Sequence, residues 1–202
     1  MSLIPTPAEK LARARTDLRL GLPVVLEGVQ SSALVTAAEE ISPERLDDLN
    51  AVGPSVLAIT SRRAETLRAR ASAGEVAPLV LPNDVPAEWM CAAAHPTDDL
   101  ITTMKGPFET LRDGSAEMHR LAIALVKSAH LLPAALVTQL GEANTDGLTR
   151  LRTSDADRQL KAPAAHRGVV TGRVPISVSE AGRVHVIRSE GGGEEHYVCE
   201  IG

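Results

Sequence analysis

Apolar and polar positions alternate along the chain in two rhythms, one close to the helical repeat and one of short branched runs, and the two take turns. Thr6, Pro7 and Glu9 read as an N-cap, a first-turn proline and a capping-box partner. They open a helix that carries Leu11 and Leu18 inward and stops near Gly21. VVLEG and SALVTAAE follow as short strands rich in branched residues. Ser42, Pro43 and Glu44 repeat the cap signature, so a helix is expected through Leu46 and Leu49 to about Val52, closed by Gly53 and Pro54. SVLAIT reads as a strand, RRAETLRARA as a helix ending at Gly74, and VAPLVLP as another strand.

From Asn83 to Gly114 the period is lost; PAEWMCAAA is compatible with a short helix and the remainder carries no assignment. Ser115 then caps the clearest helix, with Met118, Leu121, Ala122, Leu125, Val126 and Ala129 on one face, and AALVTQL follows as a strand. The alternation implies an α/β fold. Between Gly141 and Gly172 the composition turns polar, which reads as a short helix about SDADRQL and then a linker containing Pro163. Beyond it, VVTGRVPISV, GRVHVIRS and HYVCEI are strand-like runs separated by Gly-containing turns, the mark of small antiparallel β-structure. Such a tail cannot form a core alone, and the apolar HYVCEI strand calls for a partner on its flank.

Composition narrows the function classes. Trp89, Tyr197 and Phe108 are the only aromatic residues, so no stacking platform for bases is present, and a formal net charge of −5 disfavours a phosphate backbone. No nucleic-acid partner is expected. Charges interrupt MSLIPTPAEKLARARTDLRLG where a signal peptide needs an apolar core, and no stretch approaches a membrane span, so no membrane partner is expected either. Cys91 and Cys199 stand far apart with no second cysteine nearby, which argues against a disulfide framework or zinc knuckle and for a cytoplasmic location.

Candidate chemistry is sparse. The histidines at 95, 119, 130, 166, 185 and 196 form no HExxH. His185, His196 and Cys199 would approach one another in a hairpin, but three positions separate His196 from Cys199, which places them on opposite faces of a regular strand. Gly191, Gly192 and Gly193 read as a hairpin turn rather than a phosphate cradle, since no helix start follows them. Arg62 and Arg63, where a strand enters a helix after Thr60 and Ser61, are the ligand-binding candidates; the competing reading is an N-cap with solvated arginines pairing with Glu65. Glu39, Glu40, Glu44, Asp47 and Asp48 form an acidic cluster, of which Glu44, Asp47 and Asp48 read as the solvated side of a helix. No catalytic residue and no metal ligand is assigned.

LRLGLPVVLEGVQSSALVTAAEEISPERLDDLN followed by SVLAITSRRAETL resembles the opening of 3,4-dihydroxy-2-butanone 4-phosphate synthase, with its G-x-P-V-V-L, L-V-x-A-A-E and R-x-x-x-L elements. MHRLAIALVKSAHLLPAALVTQL is similar to that family's final helix and strand. The resemblance implies a mixed-sheet α/β domain, but several positions depart from the family. Its acidic, Arg-containing loop, which binds magnesium and the sugar phosphate, is replaced by Val29 and Gln30. Its His-Thr-Glu segment falls on Met118, His119 and Arg120, changed at the first and third positions, and its strand-end Cys-Glu falls on Thr138 and Gln139. Its Ser/Thr-rich substrate loop has no clear counterpart between Pro82 and Gly114.

The tail RVPISVSEAGRVHVIRSEGGGEEHYVCEIG looks like the first strands of GTP cyclohydrolase II, which opens the imidazole ring of GTP with a three-cysteine zinc site in riboflavin biosynthesis. The resemblance divides the chain into a degenerate synthase-like domain at residues 1–162 and a linker with the first cyclohydrolase strands at residues 163–202. It implies a non-catalytic region with a structural, dimerisation or regulatory role, partnered by another copy or by the rest of the cyclohydrolase. Zinc is expected only in a catalytic domain outside these residues, and no cofactor within them. The alternatives are residual synthase activity, which requires carboxylates such as Glu39, Glu40 and Glu117 to converge, and a phosphometabolite-binding module at Arg62 and Arg63.

Overall fold

A computed structural model describes residues 3–69, 74–82, 85–99, 106, 108–111, 116–163, 166–175, 177, 179–189 and 195–201. The chain divides into two compact units, Met1–Leu160 and Lys161–Gly202. In the first, helix α1 (Pro7–Arg19) opens on the expected capping box: the Thr6 hydroxyl accepts the Glu9 N–H at 3.3 Å, and the Glu9 carboxylate accepts the Thr6 N–H at 2.7 Å. Gly21 ends the entry with φ +70°, and a Cβ there would stand 2.5 Å from the Glu40 carbonyl oxygen, so the turn admits only glycine.

Strands β1 (Val24–Glu27) and β2 (Ser32–Ala37) form a hairpin, followed by α2 (Pro43–Val52), β3 (Ser55–Thr60), α3 (Ser61–Thr66) and β4 (Val76–Val80). Helices α4 (Ala87–Ala94) and α5 (Ala116–Ser128) precede β5 (Ala134–Gln139), β6 (Arg150–Arg152) and α6 (Thr153–Lys161). The strands make one mixed sheet in the order β4-β3-β5-β2-β1-β6, antiparallel except where β6 runs parallel to β1.

Period-two alternation splits the strand residues between two apolar layers. Leu26, Val35, Ala58, Ala135 and Val137 join Leu11, Leu18, Leu121, Leu125 and Val126 of α1 and α5 in one cluster. Val25, Leu34 and Leu136 meet Leu46, Leu49 and Met90 of α2 and α4 on the other side, where Leu57, Ile59 and Leu79 pack with Ala64 and Ala93. Aliphatic side chains therefore fill both layers, as the scarcity of aromatic residues requires. All six residues expected on the inner face of α5 are buried.

Two expectations are corrected, and part of an unassigned stretch gains structure. The helix over RRAETLRARA stops at Thr66, because Arg68 turns left-handed at φ 55° and the Ala69 N–H closes on the Ala64 carbonyl at 2.9 Å. Residues 70–73 lie outside the described residues. The polar stretch after Gly141 is not all linker, since Arg150–Arg152 pairs with β1 and buries Leu151 in the core. Within the unassigned stretch Asn83–Gly114, PAEWMCAAA gives α4, a 3-10 turn covers Pro96–Asp99, and Thr110 bridges to Leu79 on the β4 edge. The Ser115 cap and the Gly191–Gly193 turn lie outside the described residues.

The second unit is a three-stranded antiparallel sheet, β7 (His166–Arg173), β8 (Arg183–Ser189) and β9 (Glu195–Glu200), in that order. Every residue of β7 and β9 is exposed, and no described residue of this unit belongs to a core cluster. Among the described residues no helix is long and apolar enough to cross a membrane.

Candidate functional site

In the first unit, the positions that the synthase resemblance marks for chemistry lie on the first turn of α5, the ends of β2 and β5, and the β1–β2 turn. At that turn the Gly28 N–H bonds the Ser31 carbonyl at 2.9 Å, and a Cβ on Gly28 would stand 2.7 Å from that oxygen and 3.3 Å from Met118 Cε. Val29 at its tip is fully exposed. Met118 is buried among the α1 and α5 side chains, so its thioether packs and offers nothing ionisable.

His119 is also buried, and that burial pushes its imidazole below the ordinary value of 6.5, which keeps it neutral. Arg120 reaches Asp157 of α6 at 3.1 Å and ties two helices together. At the end of β5 the Thr138 hydroxyl lies 2.7 Å from Ser55 Oγ, a bond between neighbouring strands, while Gln139 is exposed. The Glu39 carboxylate accepts the Leu132 N–H at 2.7 Å, which fixes the chain entering β5. Glu40 and Glu117 are exposed.

Magnesium needs several oxygen donors around one point, with carboxylates among them. Among the described residues no three His, Cys, Asp or Glu side chains come together, and the carboxamide and hydroxyl at the end of β5 carry no charge. The donor set does not fit such a site. The outer acids Glu44, Asp47 and Asp48 are exposed on α2, as their helical spacing indicates, with Asp48 paired to Arg45 at 3.4 Å.

The arginine pair separates. Thr60 caps α3 by accepting the Arg63 N–H at 3.2 Å, and Arg62 is exposed. Arg63 points inward: Nη1 and Nη2 donate to the two Asp99 oxygens at 2.6 and 2.7 Å, and Nε donates to the Ala93 carbonyl at 2.8 Å. Nη2 also faces the Ala92 and His95 carbonyls at 3.3 and 3.2 Å. This fork joins the start of α3 to the end of α4 and the following turn, in place of the solvated pairing with Glu65. Asp99 lies far along the sequence in a stretch without a clear period, so nothing in the spacing announced the pair.

In the second unit, His185 is held between Thr171 Oγ1 and Glu200 Oε2, each at 3.0 Å. Register places His196 opposite Ile187 and Cys199 opposite Val184, so the His185, His196 and Cys199 trio does not assemble.

The sheet order and two-layer packing define a class. The chain shares its fold with a two-domain 3,4-dihydroxy-2-butanone 4-phosphate synthase from A. baumannii, at TM-score 0.55 and 16% identity over 95% of this chain and 70% of that one. The Candida albicans synthase matches at TM-score 0.55 and 15% identity, over 74% of this chain and 96% of its own. Identities this low define the fold alone. In sequence, the chain is 30% identical to the GTP cyclohydrolase-2 of Azospirillum brasilense over 94% of its own length and 52% of that protein. In sequence the chain is thus similar to GTP cyclohydrolase-2 and in fold to the synthases, and it spans about half the length of the cyclohydrolase it matches. No family model matches the chain.

Proposed function

We propose that this chain is the N-terminal region of a GTP cyclohydrolase II of riboflavin biosynthesis, in which the synthase-like unit assembles or regulates the enzyme without running the synthase reaction. The three-stranded sheet is then the start of the cyclohydrolase domain, and zinc belongs to the part of that domain beyond it. The observation that supports this reading is the end of β5, where an uncharged hydroxyl bonded to Ser55 and an exposed carboxamide occupy the positions that the sequence resemblance assigns to the synthase's Cys-Glu. Neither can serve as a carboxylate base or a charged metal ligand. Partners of this reading are a second copy or the remainder of the cyclohydrolase, in the cytoplasm.

Turnover assays test it. Neither GTP with zinc nor ribulose 5-phosphate with magnesium gives product above background with these residues alone; formate from GTP, or 3,4-dihydroxy-2-butanone 4-phosphate from the sugar, overturns the proposal. The exposure of Arg62 favours a second reading, a phosphometabolite site on the surface of α3. Calorimetry against GTP and ribulose 5-phosphate separates the two: heat that disappears in Arg62→Ala supports binding, and no heat for either ligand ends it.

A further inference from the structure

In the sheet of Lys161–Gly202 no described residue joins a core cluster, and Cys199 forms no disulfide. Its outer strands, β7 and β9, each hydrogen-bond to β8 and not to each other. Among the described residues a ring contact crosses the gap. His166 and His196 meet over β8 with ring centres 5.7 Å apart and planes at 61°.

Register explains the meeting. His166 lies opposite Ser189 and His196 opposite Ile187, and alternate residues of β8 share a face, so both imidazoles stand on one side of the sheet. Two imidazoles bound to one ion through nitrogens at about 2.0–2.1 Å have ring centres roughly 5–6 Å apart. The separation across β8 already lies in that range. Both residues are exposed, which leaves room for water to complete the coordination shell.

We propose that His166 and His196 form a divalent transition-metal site that clasps β7 to β9. Neutral imidazole suits zinc, copper and nickel rather than magnesium or calcium. His185 shares the face but is committed to Thr171 and Glu200, and Cys199 projects from the opposite face. The site therefore takes two protein ligands, with the rest supplied by solvent. The ion thereby links two strands that are otherwise joined through β8.

Titration of the untagged chain with copper(II) or zinc at fixed neutral pH tests this. One ion binds per chain, the copper EPR spectrum shows two nitrogen ligands, and zinc slows amide exchange in β7 and β9. His166→Ala and His196→Ala each weaken binding about tenfold or more, while His185→Ala leaves it unchanged. Failure to bind, binding retained in both single variants, or loss in His185→Ala overturns the proposal. Both positions are exposed, so the variants fold, and circular dichroism checks that they do.

Discussion

Strands β5 and β8 each sit at the centre of their sheet, and each carries β-branched or aliphatic residues, yet their surroundings differ. β5 is buried through five of its six residues, with apolar layers above and below it. β8 has no fully buried residue, and its valines and isoleucine are only half-covered. Strand-forming residues thus account for the ladder in both sheets but for cohesion in only one. In the first unit the free energy comes from aliphatic burial on two faces; in the second it rests on backbone pairing, cross-strand contacts and whatever covers the sheet.

The sharpest way to break this contrast is a matched pair of truncations. Leu136→Ala, in the buried middle of β5, costs about 3–4 kcal/mol in urea unfolding, because the cavity cannot collapse between two packed layers. Val186→Ala in β8 costs under about 1 kcal/mol, and equal effects would remove the distinction. Next in size is Arg63→Ala, which leaves the Asp99 carboxylate without its bidentate partner and lowers stability by about 3 kcal/mol. A double-mutant cycle with Asp99→Ala gives strong coupling if the fork holds α3 to α4, and none if the arginine acts through its stem alone.

Thr6→Ala removes the hydroxyl from the capping box of α1 and costs about 1 kcal/mol by thermal unfolding. The smallest effect is a pH slope. Burial holds the His119 imidazole below 6.5 in the folded chain, so the unfolded state binds more protons as the pH falls through that value. Stability contributed by the neutral ring is complete above about pH 6.5 and declines on acidification below it. His119→Gln flattens this part of the profile of melting temperature against pH; an unchanged profile would place the titration elsewhere.

Much of the first unit is legible in the sequence. Thr6 and Ser42 are side-chain caps with proline next to them, and Met118 to Ala129 keep a helical spacing, so local chemistry and tertiary packing agree at α1, α2 and α5. β6 was missed because three residues with a single apolar side chain, Leu151, cannot set a period against a polar background. α3 was read too long because nothing in RRAETLRARA marks the left-handed turn that Arg68 makes. At the candidate site, the resemblance led to Met118, Arg120, Thr138 and Gln139 as the expected departures from the family. The bonds that reassign the surrounding groups, Thr138 to Ser55, Arg120 to Asp157 and Glu39 to Leu132, join elements distant in sequence and depend on the folded sheet.

The central claim is that a synthase fold persists here without a charged oxygen at the end of β5 to hold a metal ion or move a proton. Incubating the chain with ribulose 5-phosphate and magnesium, and following 3,4-dihydroxy-2-butanone 4-phosphate by NMR, addresses it most directly. The account predicts a spectrum indistinguishable from the protein-free control; product accumulating in proportion to protein concentration would contradict it.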